Sequence, residues 1–256
     1  MKNPIAPLLG SIFLASALSL SAQTFTEDIS GTPANNTFER VDGLTVGNIL
    51  FNNTEGGGIP DPFEIDPVGA TITEVTTATG TFTAFDICAE MFVGPNDSSS
   101  YQVTQGFGSL NAGQQVLVAK LFSNTLVDFF VARDGGDRTE AAIIGAALQM
   151  AFWEIVEDPT FNSTPSLDEN SPNAGNISIS GYTASYSGDT QAAMIRAQTY
   201  LDQLDTWTDN GGLTYFYADN ATEQDRLWVT FEAIPEPSTA LLAMLGMITL
   251  LRRKRA

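Results

Sequence analysis

The sequence predicts an α+β fold: an antiparallel β-sandwich or barrel-like sheet with an inserted helical sub-lobe, plus an N-terminal signal helix and a C-terminal anchor helix. Three observations predict it. Strand-like sequence comes first, helical sequence second and strand-like sequence again last, an order that argues against a parallel α/β sheet. The two apolar segments that suit signal and anchor helices lie at the two ends of the chain. The roughly 210 residues between them suit one domain.

The elements follow in order. Lys2 and the apolar run Ile5 to Leu20, closed by Ser19, Ser21 and Ala22, read as a secretory signal peptide over residues 1–22. The run is too short for a good membrane span, and the mature chain is expected to begin near Gln23. Residues 23–233 form the exported domain. Thr24 to Val93 is rich in Thr, Val, Ile and Phe and broken by Gly, Asn and Pro, with strands expected at Thr71–Thr77 and Thr81–Val93 about a turn at Gly80. Asn111 is placed to cap a helix to about Val131, ended by Asp134-Gly135-Gly136. Asp137 caps a second helix, about Arg138 to Glu157, with Glu140 three residues on. Between Ala141 and Val156 only Gln149 and Glu154 are strongly polar, so this helix is expected in the core. A long loop, Glu157 to Gly175, precedes a strand over Asn176–Ser187. Asp189 is expected to cap a third helix to about Asp205, and Leu213–Ala218 and Arg226–Ala233 are the last strands.

The chain ends in three parts over residues 234–256. Ile234-Pro235-Glu236-Pro237-Ser238-Thr239 is stiff and non-helical, Ala240 to Leu251 is apolar apart from Thr249, and Arg252-Arg253-Lys254-Arg255 is a basic stop.

Composition excludes several functions. Residues 23–239 hold six basic residues against all thirty acidic ones, a net charge of −24. Such a surface repels nucleic acid and anionic lipid. Histidine is absent, which removes Ser-His-Asp and Cys-His catalysis and most zinc sites. No EF-hand loop is present, Asp134–Asp137 and Asp209–Gly212 read as turns, and no metal or cofactor is expected. Cys88 is the single cysteine, so no internal disulfide can form.

Period-two alternation points Phe85, Ile87 and Ala89 one way and Asp86, Cys88 and Glu90 the other. The flanking carboxylates disfavour a free thiolate at Cys88, and a small buried apolar role is the plainer reading. Gln149, a buried amide, must pair its donors and its carbonyl. The backbone near Cys88 is one candidate partner and a break in the core is another. Trp153, four residues on, shares its face and would keep water from the site.

These residues carry two resemblances. The order Pro235-Glu236-Pro237, apolar helix, basic tail closely resembles the PEP-CTERM sorting signal of Gram-negative, exopolysaccharide-producing bacteria. It implies signal peptidase and exosortase as processing partners, a membrane held through the C-terminal helix before processing, and a place at the cell envelope, outer surface or extracellular matrix. Cys88 after Ile87, the run Leu148-Gln149-Met150-Ala151-Phe152-Trp153, and Glu223-Gln224-Asp225-Arg226-Leu227 resemble the three motifs of bacterial surface thioester domains. That resemblance implies an internal thioester between Cys88 and Gln224, supported by Gln149 and Trp153 and open to attack by an amine on a target. Ile87, Leu148, Phe152, Glu223 and Arg226 depart from the pattern, and only the middle motif is sharp. A bond from Cys88 to Gln149 is the other pairing.

Two functions follow as expectations, neither an enzyme. One is an adhesion protein of a biofilm or surface that attaches covalently to amines. The other is a non-covalent structural or exopolysaccharide-binding matrix protein with a quiet cysteine, in which Trp207, Tyr215, Phe216 and Tyr217 would line a sugar face. A glycosidase with paired carboxylates ranks below both.

Overall fold

The computed structural model describes residues 37–53, 63–65, 68–77, 80–90, 101–157, 166–168, 174–181, 185–219 and 224–231. The expected signal peptide, the sorting motif Pro235-Glu236-Pro237 and the basic tail lie outside them. Within them the order is strands, helices, strands. The strands are β1 (Thr37–Thr45), β2 (Ile49–Asn53), β3 (Phe63–Ile65), β4 (Gly69–Thr77), β5 (Gly80–Cys88) and β6 (Gln102–Gln105). Helices α1 (Ala112–Asp134) and α2 (Arg138–Glu157) follow, then β7 (Ser166–Asp168), β8 (Ala174–Ile179), α3 (Gly188–Gln203), β9 (Leu213–Asp219) and β10 (Arg226–Phe231). The fold is α+β.

The large sheet runs β1-β4-β5-β10-β9-β6, antiparallel throughout. Its order leaves β1 and β6 as edges among the described residues, so it is an open sheet and not a closed barrel. A smaller sheet, β3-β2-β8-β7, carries one parallel pair, β7 with β8. The chain reaches β10 last, yet β10 sits in the middle of the large sheet. Its register pairs Val229 with Phe85 and Leu227 with Ile87, so apolar residues of both strands share the inner face.

Helix α2 is the core of the molecule, touching β1 and β4 of one sheet, β8 of the other, and α1 and α3. Every residue from Ala141 to Ile155 is buried. Gly145 permits this closeness: a Cβ there would come 3.2 Å from Phe129 Cε2 and 3.3 Å from Ala70 Cβ. Phe129 and Phe122 of α1 meet Phe85 of β5 with ring centroids 4.7 and 5.9 Å apart. By length and composition alone, α1 and α2 would each suffice to cross a membrane, though α2 is mostly buried in the protein.

The helix starts follow their caps. Asn111 accepts from the Gln114 N–H while Gln114 returns a bond to the Asn111 N–H, closing a capping box. Asp137 Oδ1 accepts from the Glu140 N–H at 3.0 Å. Helix α3 departs from expectation: its cap position is Ser187, and Asp189 lies in the first turn, where its charge meets the helix dipole. Strand β8 ends at Ile179, short of the expected Ser187, because Gly181 turns the chain at φ 64°. The Glu157–Gly175 segment, expected as loop, holds the short strand β7.

Candidate functional site

The site lies where β5 ends. Ala89 N–H donates to Asp225 O at 2.8 Å, continuing the ladder toward β10. In an antiparallel ladder neighbouring residues point their polar groups to opposite sides, so those of Cys88 point toward β4. The β4–β5 register stops at Thr71 opposite Asp86, two pairs short of Cys88. Gln149 of α2 takes over there. Its Oε1 accepts from the Cys88 N–H at 2.9 Å and its Nε2 donates to Cys88 O at 2.9 Å. A side-chain amide thus extends the sheet by one peptide unit. Trp153 Nε1 donates to the same carbonyl at 3.0 Å, and its ring meets Phe51 edge-on at 6.0 Å. The backbone of Cys88 is held by three bonds from one buried helix, while its side chain is half-buried.

Gln224 stands just before β10. With Arg226 opposite Cys88 and Asp225 bonded to Ala89, continuation of the register sets Gln224 opposite Glu90. Its Nε2 donates to Glu90 O. Gln224 is therefore the diagonal cross-strand neighbour of Cys88, a spacing that long side chains bridge. It is only 4% exposed, and its Oε1 is buried without a hydrogen-bond partner among the described residues. An orphaned buried carbonyl costs about 1–3 kcal/mol. Glu223, its neighbour in the motif, lies outside the described residues.

Two polar clusters flank this point, and the period-two reading foresaw neither. Asp86 and Arg226 form a buried ion pair, Nη1 to Oδ2 3.1 Å, with side chains only 3% and 6% exposed. Thr71 and Thr73 hydroxyls also donate to Asp86 Oδ2, at 3.1 and 2.8 Å. Burial disfavours the charged guanidinium, but the charges of Asp86 and of the Cys88 sulfur outweigh it and hold Arg226 above its usual range. The surroundings of Cys88 are thus not simply acidic, as the sequence suggested: a cation faces it across the ladder. Tyr217 Oη donates to Asp225 Oδ2 at 2.7 Å, and the Asp225 N–H donates to Glu90 Oε2 at 3.2 Å. Desolvation, and then the charges of Asp225 and Asp219, raise the Glu90 carboxyl against its bond from Asp225.

The structure therefore brings Cys88, Gln149, Trp153 and Gln224 to one strand end. It does not assemble the aromatic sugar face: Tyr215 and Tyr217 are buried, Phe216 stacks on Phe82 and Trp207 packs beside Tyr200. Among the described residues no group of three His, Cys, Asp or Glu side chains is arranged to hold a metal ion.

A model of the PEP-CTERM protein-sorting motif matches residues 233–255. The motif implies an exported protein, processed by exosortase and associated with the cell envelope. No curated protein and no solved structure matches the chain.

Proposed function

We propose that this chain is an exosortase-sorted surface or matrix protein whose domain forms an internal thioester between Cys88 and Gln224 and uses it once, to attach covalently to an amine-bearing target. The observation that carries this reading is Gln224: nine-tenths buried, diagonal to the half-buried Cys88, with its carbonyl oxygen unpartnered among the described residues. The bond forms when Cys88 Sγ attacks Gln224 Cδ. The S–C bond closes, the C–N bond breaks, and ammonia leaves with the thiol proton. An amine reverses the geometry: its nitrogen takes Cδ, the C–S bond breaks, and the sulfur takes the proton. Gln149 has another part. Both ends of its amide are spent on the Cys88 backbone, which suits it to hold the nucleophile rather than to be consumed. Tyr217, Asp225 and Glu90 close the strand end beside it. The outer surface of a Gram-negative cell, or its biofilm matrix, is where such a protein would serve adhesion.

The test is the intact mass of the chain as cells produce it, each variant set against its own sequence. The wild type should be lighter by about 17 Da and should gain one methylamine on incubation. Cys88→Ala and Gln224→Ala should each restore the full mass. A deficit that survives Gln224→Ala and disappears in Gln149→Ala would move the bond to Gln149. A full mass in the wild type would leave the non-covalent matrix reading.

A further inference from the structure

We propose that Arg226 is a positioning residue for the Cys88 sulfur: fixed directly across the ladder and anchored on Asp86, it stabilises the thiolate that attacks Gln224 and that departs when an amine opens the bond. Its use in that reaction rests on the thioester reading above, but its effect on the thiol stands apart from it.

The geometry points this way for three reasons. First, Arg226 and Cys88 are direct register partners. Cys88 spends its N–H and C=O on Gln149, so the two form a non-hydrogen-bonded pair, the kind in which side chains lie closest. Second, the guanidinium cannot swing away. Two contacts to Asp86, at 3.1 and 3.3 Å, hold it. Asp86 is fixed in turn by Thr71 and Thr73. Third, the pair is dry. A charge in a buried site acts over a few ångströms far more strongly than one in water. The Asp86 carboxylate lies two residues back on the same strand and takes two hydroxyl bonds besides the guanidinium, while Arg226 is the direct register partner of Cys88. Against burial, the charge of Asp86 and then that of the Cys88 sulfur hold Arg226 above its usual range, which agrees with this placement.

Thioester exchange needs such a group. A thiol attacks only as thiolate, and a sulfur leaves faster the better its negative charge is held. The charged and titratable groups that face this point are Asp86 and Glu90 from β5, Asp225 and Arg226 from β10, Tyr217 from β9, and Tyr101 just ahead of β6, whose hydroxyl lies 3.5 Å from Arg226 Nε. From α2 come only the neutral Gln149 and Trp153. Among the described residues, Arg226 is the one cation in that set.

The experiment uses the full-length chain in detergent, in a Gln224→Ala background where no thioester to Gln224 can form. Iodoacetamide alkylation of Cys88 is followed against pH. The midpoint should fall below the ordinary thiol value of about 8.5. It should rise by about one unit or more in the paired neutral substitution Asp86→Asn with Arg226→Met, and stay low in Arg226→Lys. A midpoint at or above the ordinary value in the Arg226 chain would overturn the proposal, and that arm needs no change at the ion pair. So would a midpoint the neutral pair does not move. With Gln224 restored, the neutral pair should keep the mass deficit and react with methylamine about tenfold more slowly. No deficit in the unsubstituted chain would sink the thioester reading alone, while the alkylation midpoint still judges Arg226.

Discussion

At the scale of single residues, the three bonds to the Cys88 backbone divide unequally. Gln149→Ala removes two of them and leaves polar groups at the strand end to find new partners. Trp153→Phe removes one, and Gln149 still covers the same carbonyl. Urea unfolding should therefore show a loss of about 1–3 kcal/mol for Gln149→Ala and about 1 kcal/mol for Trp153→Phe. Equal losses would mean that the bonds to Cys88 are not what these side chains contribute. The need of Gln149 for a partner was legible, because a buried amide cannot stay unpaired. The ion pair of Asp86 with Arg226 was not: a charged residue in a strand reads as solvent-facing, and its partner lies 140 residues away.

Among elements, the helices were the most legible. Asn111, Asp137 and the Gly135-Gly136 break are local chemistry, and local chemistry fixes where α1 and α2 begin and part. Strand ends were less so, since β5 ends where its partner β4 stops and β8 ends where Gly181 turns, which depends on neighbours and backbone rather than on composition. The approach of α2 to the large sheet rests on Gly145. Gly145→Val would improve local helix propensity slightly, yet push methyls into Phe129 and Ala70. Thermal or urea unfolding should show a net loss of about 1–3 kcal/mol. A neutral or stabilised variant would mean that α2 can stand off from β4 freely.

For the molecule as a whole, two buried tyrosines, Tyr215 and Tyr217, and the half-buried Tyr200 set the alkaline limit. Desolvation, opposed by the charge of Arg196 and aided by those of Asp128 and Glu140, pushes Tyr200 up to about 12 from 10.0. Desolvation raises Tyr215 and Tyr217 further, the latter also through its bond to Asp225. Each folded value lies above the unfolded one, so the stability they contribute is complete below pH 10.0 and is lost as pH rises toward the folded values. Between about pH 10 and 12, stability should fall by about 1.4 kcal/mol per unit for each tyrosine. Urea midpoints measured across that range would show it, and Tyr200→Phe should make the fall shallower. An unchanged slope in Tyr200→Phe would remove Tyr200 from the account. The order of elements and the overall class were visible in the sequence. That the last strand inserts at the middle of the sheet was not, because strand order depends on pairing over long separations.

The polar atoms of Gln149 have one more consequence, which falls before folding. A chain threaded outward through a secretion channel presents each apolar segment to the lipid beside it while its sheets are still unformed. Helices α1 and α2 have the length and apolarity to slip sideways and lodge there. Lys120, Asn124 and Asp128 punctuate the first near its centre, and Gln149 sits at the centre of the second. The amide that secures the Cys88 backbone thus also lowers the apolarity of its own helix at the centre, where lipid insertion is most sensitive to a polar group.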